Sequence, residues 1–90
     1  MGTALITIKI MPTSPEVSLD EIQSKVEKII SENEGEKPSS KIEPVAFGIN
    51  SLNISFSRDE NLENDPMIEA IQAIEEVSSA EISDFRRAFG

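Results

Sequence analysis

The feature that most constrains the fold is a pair of strand patterns joined by a turn, within residues 41–57. After the turn, Leu52, Ile54 and Phe56 alternate with small polar residues, which predicts a strand with one buried face and one solvent-facing side. Before the turn, Pro44 cannot donate a hydrogen bond to a central ladder, so its strand belongs at the edge of a sheet. The stretch therefore predicts a β-hairpin whose first strand is an edge strand.

The turn of this hairpin carries an aromatic residue. Residues 48–51 are of types that favour a turn, and Phe47 stands directly before them. A phenyl ring at this position either packs into the core or is presented to a partner. We predict that the ring is at least partly exposed, because an aromatic side chain anchors an interface only where the partner can desolvate it.

The chain opens with another alternating pattern. Ala4, Ile6, Ile8 and Ile10 fall on one face of a predicted strand, with Leu5 as an apolar exception on the other face. The following residues, 11–17, include two prolines and predict a stiff loop.

A first helix is predicted from Leu19 to Asn33. Ser18 and Glu21 form a capping-box pattern at its start, and Gly35 is suited to cap its end. Residues 36–40, which include Pro38, predict a polar connection to the hairpin, and residues 58–64, three of which are acidic, predict an acidic loop after it.

A second helix is predicted from Asp65, which we expect to cap it with Pro66 at the first position, to about Val77. Its apolar stripe comprises Met67, Ala70, Ile71, Ile74 and Val77. Ser78 and Ser79 break that pattern, and residues 80–89 alternate imperfectly, as an edge strand of a half-exposed sheet does.

The resulting order is strand, helix, strand, strand, helix, strand. Each helix has one apolar face, so both must cover the same side of one antiparallel sheet. Right-handed crossovers then predict an α+β, ferredoxin-like sandwich with the strand order 4-1-3-2. In this arrangement the Phe47 turn and the end of the chain lie at opposite ends of the sheet, roughly 25 Å apart.

Composition narrows the function. Ninety residues predict a single domain over residues 1–90, and the absence of histidine, cysteine, tyrosine and tryptophan argues against an enzyme, a metal site or a cofactor. Seventeen acidic and eight basic residues give a net charge of −9, which disfavours nucleic acid and anionic membranes as partners. We find no signal-peptide or membrane-spanning pattern and expect a cytoplasmic protein, monomeric, that binds another protein.

Two features remain as candidate partner-binding sites. One is Phe47 with Gly48 at the hairpin turn, and the other is the run Phe85, Arg86 and Arg87, a basic and aromatic terminus on an otherwise acidic chain. On residue chemistry alone, ordinary solvated residues of a frayed terminus are the favoured explanation of the arginines.

Three stretches give these features a more specific meaning, because together they resemble the elongation factor 1-beta family, in its archaeal branch. The first comprises Pro44-Val45-Ala46-Phe47-Gly48-Ile49 followed by Leu52, and the second comprises Val77, Ser79, Glu81, Ile82, Phe85, Arg86 and Arg87. The opening stretch, residues 8–17, is similar to the archaeal members.

The resemblance implies a guanine-nucleotide exchange factor that binds the GTPase elongation factor 1-alpha and promotes release of GDP. It also implies the ferredoxin-like fold, a Phe47 that docks beside the switch region of the GTPase, and a cation at Arg87 that reaches the magnesium and phosphate site. The chain departs from the family pattern where Asn50-Ser51 replace a lysine pair, where Arg87 replaces lysine, and where Phe89-Gly90 extend the tail.

Two other functions stay open. A small-molecule-sensing regulatory module of the same fold, dimerising through its sheet, would bind a metabolite and not the GTPase. A structural subunit of a translation complex would bind the GTPase without changing nucleotide release.

Overall fold

The computed structural model of the protein describes residues 2–45 and 48–88, with the backbone alone at Ala88. Its elements follow in the order β1 (Thr3–Pro12), α1 (Leu19–Glu32), β2 (Glu36–Pro44), β3 (Asn50–Asp59), α2 (Asp65–Gln72) and β4 (Val77–Ala88). The four strands form one antiparallel sheet in the order β2-β3-β1-β4. The predicted α+β, ferredoxin-like arrangement and its strand order are therefore confirmed.

One hydrophobic core lies between the sheet and the two helices. Both helices contribute buried side chains to the same cluster as the sheet, which confirms that they cover one face of it. The buried members are Ala4, Ile6, Ile8, Ile10, Ile22, Val26, Ile30, Leu52, Ile54, Phe56, Met67, Ile71, Val77 and Ala80. The alternating patterns of β1 and β3 thus predicted the inward face correctly, with Leu5 exposed on the other face.

Helix α1 begins as its capping pattern predicts, with the Ser18 hydroxyl accepting a hydrogen bond from the amide of Glu21 at 3.5 Å. Its end differs from the prediction, because the left-handed residue is Glu34 (φ 66°) and not Gly35. The Gly35 amide donates to the Ile30 carbonyl at 2.8 Å, which completes a Schellman-type end. Glycine is needed at 35 for space, since a Cβ there would collide with Ile30.

Two predicted connections belong to strands. Strand β1 continues to Pro12, which pairs with Val77 of β4, so the predicted loop begins later than expected. Residues 36–40 form the first half of β2, although every residue of that strand is exposed. The prediction was wrong because an edge strand needs only one neighbour, here β3, and can be polar on both faces. The edge position expected from Pro44 is confirmed.

The second helix is shorter than predicted. Helix α2 ends at Gln72, Ala70 is exposed, and Val77 already belongs to β4. The predicted cap at Asp65 is wrong, because Asp65 is the first helical residue and Asn64 occupies the capping position. Asn64 makes no side-chain cap, because its amide oxygen accepts a hydrogen bond from Arg58 instead.

Strand β4 occupies the other edge of the sheet, as predicted, but begins at Val77. Its imperfect alternation has a structural cause in a shift of register: Ile82 lies opposite Ile8, whereas Asp84 lies opposite Thr7, so Ser83 is an extra residue in the ladder. The bulge moves the side chains after Ser83 by one position relative to those before it. None of the helices in the described ranges has the length and apolarity to span a membrane.

Candidate partner-binding site

The two candidate regions lie at opposite ends of the sheet. Ile10 of β1 pairs with Leu52 next to the hairpin turn, whereas Thr3 pairs with Ala88 at the far end of β4. Thr3 and Ile10 are seven residue steps apart along β1, a distance of about 23 Å for an extended strand. The opposite placement predicted from the topology is therefore confirmed.

At the turn end, Phe47 lies outside the described residues, and its predicted exposure stays a prediction. The residues on either side are described. The amide of Val45 donates to the carbonyl of Ile49 at 2.8 Å, which closes the turn. Gly48 has φ 74°, a left-handed conformation that favours glycine, and a side chain there would have open space around it. Gly48 is therefore exposed to solvent, as is Val45 on the other side of the turn.

At the terminal end, the side chains of β4 point to different faces. Phe85 lies opposite the buried Ile6, on the helix-covered face, yet it is 43% exposed because it stands at the sheet edge. Arg86 points to the helix-free face, and its Nε lies 2.9 Å from a carboxylate oxygen of Asp84. The structure thus separates two neighbours that the sequence presented as one basic, aromatic run.

Arg87 returns to the helix-covered face, opposite Ala4. Its side chain is 74% exposed, and its Nε lies 3.4 Å from Oε2 of Glu60, in the loop after β3. Both terminal arginines are therefore exposed cations with a carboxylate close by. Sequence reasoning missed Glu60 and Asp84, and for Glu60 no local pattern indicates the pairing.

Arg58 is a third arginine at this end, and it is buried. Its Nε donates to the Asn33 carbonyl at 2.7 Å, and Nη1 donates to the Glu63 carbonyl at 3.1 Å and to Oδ1 of Asn64 at 2.6 Å. The prediction of a loop from residue 58 was wrong, because Arg58 continues the alternation of β3 onto the covered face. That alternation was the signal that would have located it.

The helix-free face of the sheet carries a shallow depression of about 320 Å³. Leu5 lines it together with short hydroxyl and charged side chains, among them Ser55 and Arg86. Small-molecule sites usually enclose most of their ligand between apolar walls, and this surface is open to solvent. Within the described ranges, no three acidic side chains gather in a group that could hold a metal ion.

Comparison with known proteins places this geometry in a family. The model of the EF-1 guanine nucleotide exchange domain matches residues 5–88. The chain belongs to this family. The match extends over all the elements described above, from β1 to β4, so both candidate regions fall within it.

Curated relatives named elongation factor 1-beta agree with this assignment. The protein of Nanoarchaeum equitans is 42% identical over 82 residues, covering 90% of this chain and 100% of the relative. That of Pyrococcus furiosus is 40% identical over 82 residues, with 89% of each chain covered. That of Methanococcus maripaludis is 32% identical over 83 residues, covering 91% of this chain and 93% of the relative. The archaeal resemblance read from the motifs is confirmed.

The family match covers residues 5–88 as a unit and does not assign a role to any individual residue. Gly48, Phe85, Arg86 and Arg87 are exposed in the structure, as residues that contact a partner must be. Their roles stay predictions, as does that of Phe47.

Proposed function

We propose that the chain, as one exchange domain over residues 1–90, binds the GTPase elongation factor 1-alpha and promotes release of GDP, so that GTP can replace it. The observation that carries the proposal is the match to the exchange-domain family over residues 5–88. The relatives named elongation factor 1-beta support it, since they match over nearly their whole length.

The geometry supports contact at both ends of the sheet. The Phe47 turn and the terminal segment with Arg87 lie at opposite ends of β1, so two contacts on one GTPase would hold the domain in a defined orientation. In this arrangement Phe47 docks in an apolar pocket beside the switch region, and Arg87 approaches the bound magnesium and phosphates. Neither contact requires covalent chemistry, so the protein acts as a binding protein and not as an enzyme.

A cation supplies the step that loosens the nucleotide. A positive charge near bound Mg²⁺ repels it or competes for the groups that hold it, and both effects grow where the GTPase excludes water. Arginine differs from lysine in shape, because its planar fork can clamp a carboxylate or phosphate in two places. Exchange is a reciprocal coupling, so the bound nucleotide must weaken the factor as much as the factor weakens the nucleotide.

The net charge of −9 disfavours negatively charged partners. An acidic protein repels phosphate backbones and anionic lipid, so we expect no direct binding to nucleic acid or membranes. The protein is expected to act in the cytoplasm, as a monomer, on the GTPase.

Release of a fluorescent GDP analogue from the cognate elongation factor 1-alpha tests the proposal. Release should accelerate with the concentration of the full chain and reach a plateau. The variant with both Arg86 and Arg87 changed to alanine should bind the GTPase but accelerate release much less. Binding without any acceleration would indicate a structural subunit, and a failure to bind, with a metabolite-dependent rise in Tm, would indicate the sensing module.

A further inference from the structure

The cation that the proposed exchange step requires is already paired in the free protein. Nε of Arg87 lies 3.4 Å from Oε2 of Glu60, and the Glu60 side chain is only 26% exposed. While the two groups stay together, the carboxylate cancels most of the field that the guanidinium would exert on a nearby metal ion.

Contacts with other chain segments hold the loop that carries Glu60, and the carboxylate packs closely against Gly2. The Glu60 amide donates to the carbonyl of Gly2 at 3.1 Å. The carboxylate occupies the space that a side chain at residue 2 would need, since a Cβ there would lie 2.5 and 2.8 Å from its two oxygens. Arg58 holds the far end of the same loop by donating to the Glu63 carbonyl and to Oδ1 of Asn64.

Arg87 is far less constrained than its partner. Its side chain is 74% exposed, on the last described residues of an edge strand, opposite the small side chain of Ala4. Where one member of an ion pair packs against a held loop and the other is mostly exposed, the exposed member has more freedom to move away. The arginine therefore leaves the carboxylate, and the carboxylate stays with the loop.

We propose that Glu60 is a positioning residue that restrains Arg87 in the free protein and competes with the GTPase for it; this rests on the proposed exchange function. The guanidinium leaves Glu60 in the step that loosens the nucleotide. The cost of opening the pair therefore adds to the barrier of exchange and not to the binding of the factor.

The kinetics of exchange test the restraint. Glu60→Gln removes the charge and keeps the shape, so the maximal exchange rate at saturating factor should rise by about two- to fivefold, the range that an exposed ion pair supplies. The factor concentration at half-maximal rate and the Tm should stay unchanged. The matched control is Glu63→Gln, in the same loop, whose side chain is exposed and belongs to none of the ion pairs among the described residues; it should leave the rate unchanged.

The arginine itself provides the second arm. In the Arg87→Ala background, Glu60→Gln should have no effect, because no cation remains to be released. An unchanged or slower rate for Glu60→Gln alone, or an equal increase with and without Arg87, would overturn the proposal.

A measurement on the free protein separates this inference from the exchange function. The Nε–H nuclear magnetic resonance signal of Arg87, assigned through its loss in Arg87→Lys, should shift in Glu60→Gln and not in Glu63→Gln. If the signal does not change in Glu60→Gln, the pair does not form, and the proposed restraint is refuted even if exchange is normal. If the signal shifts as expected in Glu60→Gln but the wild-type protein does not accelerate GDP release, the proposed function is refuted instead.

Discussion

Two arginines on the same face of the sheet, one on each side of Ala4, have opposite surroundings. Arg58 is 6% exposed and donates to neutral oxygens, including the carbonyl of Asn33. Arg87 is 74% exposed and lies beside the carboxylate of Glu60. Ala4 pairs with both residues across the ladder. Arg58 therefore holds elements of the fold together, whereas Arg87, on the same face, keeps its charge accessible.

The position of the strand in the sheet accounts for the difference. Arg58 is in β3, an inner strand, and the loop that follows it and the end of α1 close over its side chain. Arg87 is in β4, an edge strand. A buried guanidinium must satisfy its donors within the protein, whereas an exposed one keeps its donors for water or for a partner.

The largest expected effect concerns the buried member. Arg58→Ala should lower the free energy of unfolding by about 3 kcal/mol, because it leaves three oxygen acceptors without their donor. Urea unfolding measures this change, and exchange per folded molecule should persist. Arg58→Lys keeps the charge but not the fork, so it should recover only part of the loss. A loss below about 1 kcal/mol would place Arg58 with ordinary surface residues.

The hairpin turn should resemble the Arg87 region and not the Arg58 region. Phe47→Ala is expected to weaken binding to the GTPase by about 2 kcal/mol, because a desolvated aromatic anchor is lost, with Tm nearly unchanged. Calorimetric titration with the GTPase and a thermal melt measure the two quantities. A large fall in Tm with normal exchange would show that the ring belongs to the core.

The exposed member should affect exchange and not stability. Arg87→Ala should slow GDP release about tenfold, equivalent to about 1.4 kcal/mol in the barrier, and weaken binding less. The free energy of unfolding should change by less than about 0.5 kcal/mol, as is usual for an exposed position. Single-turnover measurements of GDP release, made together with direct binding measurements, separate the effect on the release rate from the effect on affinity. Equal losses in rate and affinity would mean that Arg87 contributes binding energy alone.

Charge as a whole should influence association more than affinity. Exposed charges separated by more than about 8 Å are screened at physiological salt, so raising the ionic strength should slow association with the GTPase severalfold and alter dissociation little. Stopped-flow association at several salt concentrations measures this. An association rate that ignores salt would reduce the charge of −9 to a solubility feature.

The smallest expected effect is on stability, and it concerns the exposed ion pair between Lys25 and Glu76. Lys25 in α1 donates to both carboxylate oxygens of Glu76, at 3.0 and 2.9 Å, in the connection before β4. This hydrogen bond is the main cause that lowers the pKa of Glu76 from its ordinary 4.5 and raises that of Lys25 from 10.5.

The sign of each shift defines the pH window of this pair. Because the pKa of Glu76 is lowered, its carboxylate contributes stability above pH 4.5, and this contribution is lost as the pH falls below that value. Because the pKa of Lys25 is raised, its ammonium group contributes stability below pH 10.5, and this contribution is lost as the pH rises above that value. Glu76→Gln should therefore lower Tm slightly at pH 7 and make it less sensitive to acid. Lys25→Gln should act in the same direction, and adding it to Glu76→Gln should change little. Additive losses would show that the two residues act independently.

Much of the fold follows from local patterns in the sequence. The alternation of Leu52, Ile54 and Phe56 identified the buried face of β3, and Ser18 marked the start of α1. The order of the elements then left one economical arrangement of sheet and helices. Such patterns are reliable because the side-chain period of a strand or helix is set by the local backbone. The family motifs likewise identified the exchange domain from the sequence.

Tertiary structure alone decided the state of the functional residues. The alternation of the strands can assign Arg58, Arg86 and Arg87 to faces of the sheet, but only the packing of other segments buries Arg58 and leaves Arg87 exposed on the same face. The pairing of Arg87 with Glu60 also depends on how the loop after β3 meets the last strand. Burial and ion pairing are set by contacts between segments distant in sequence, and those contacts leave no period in the chain for a pattern to detect.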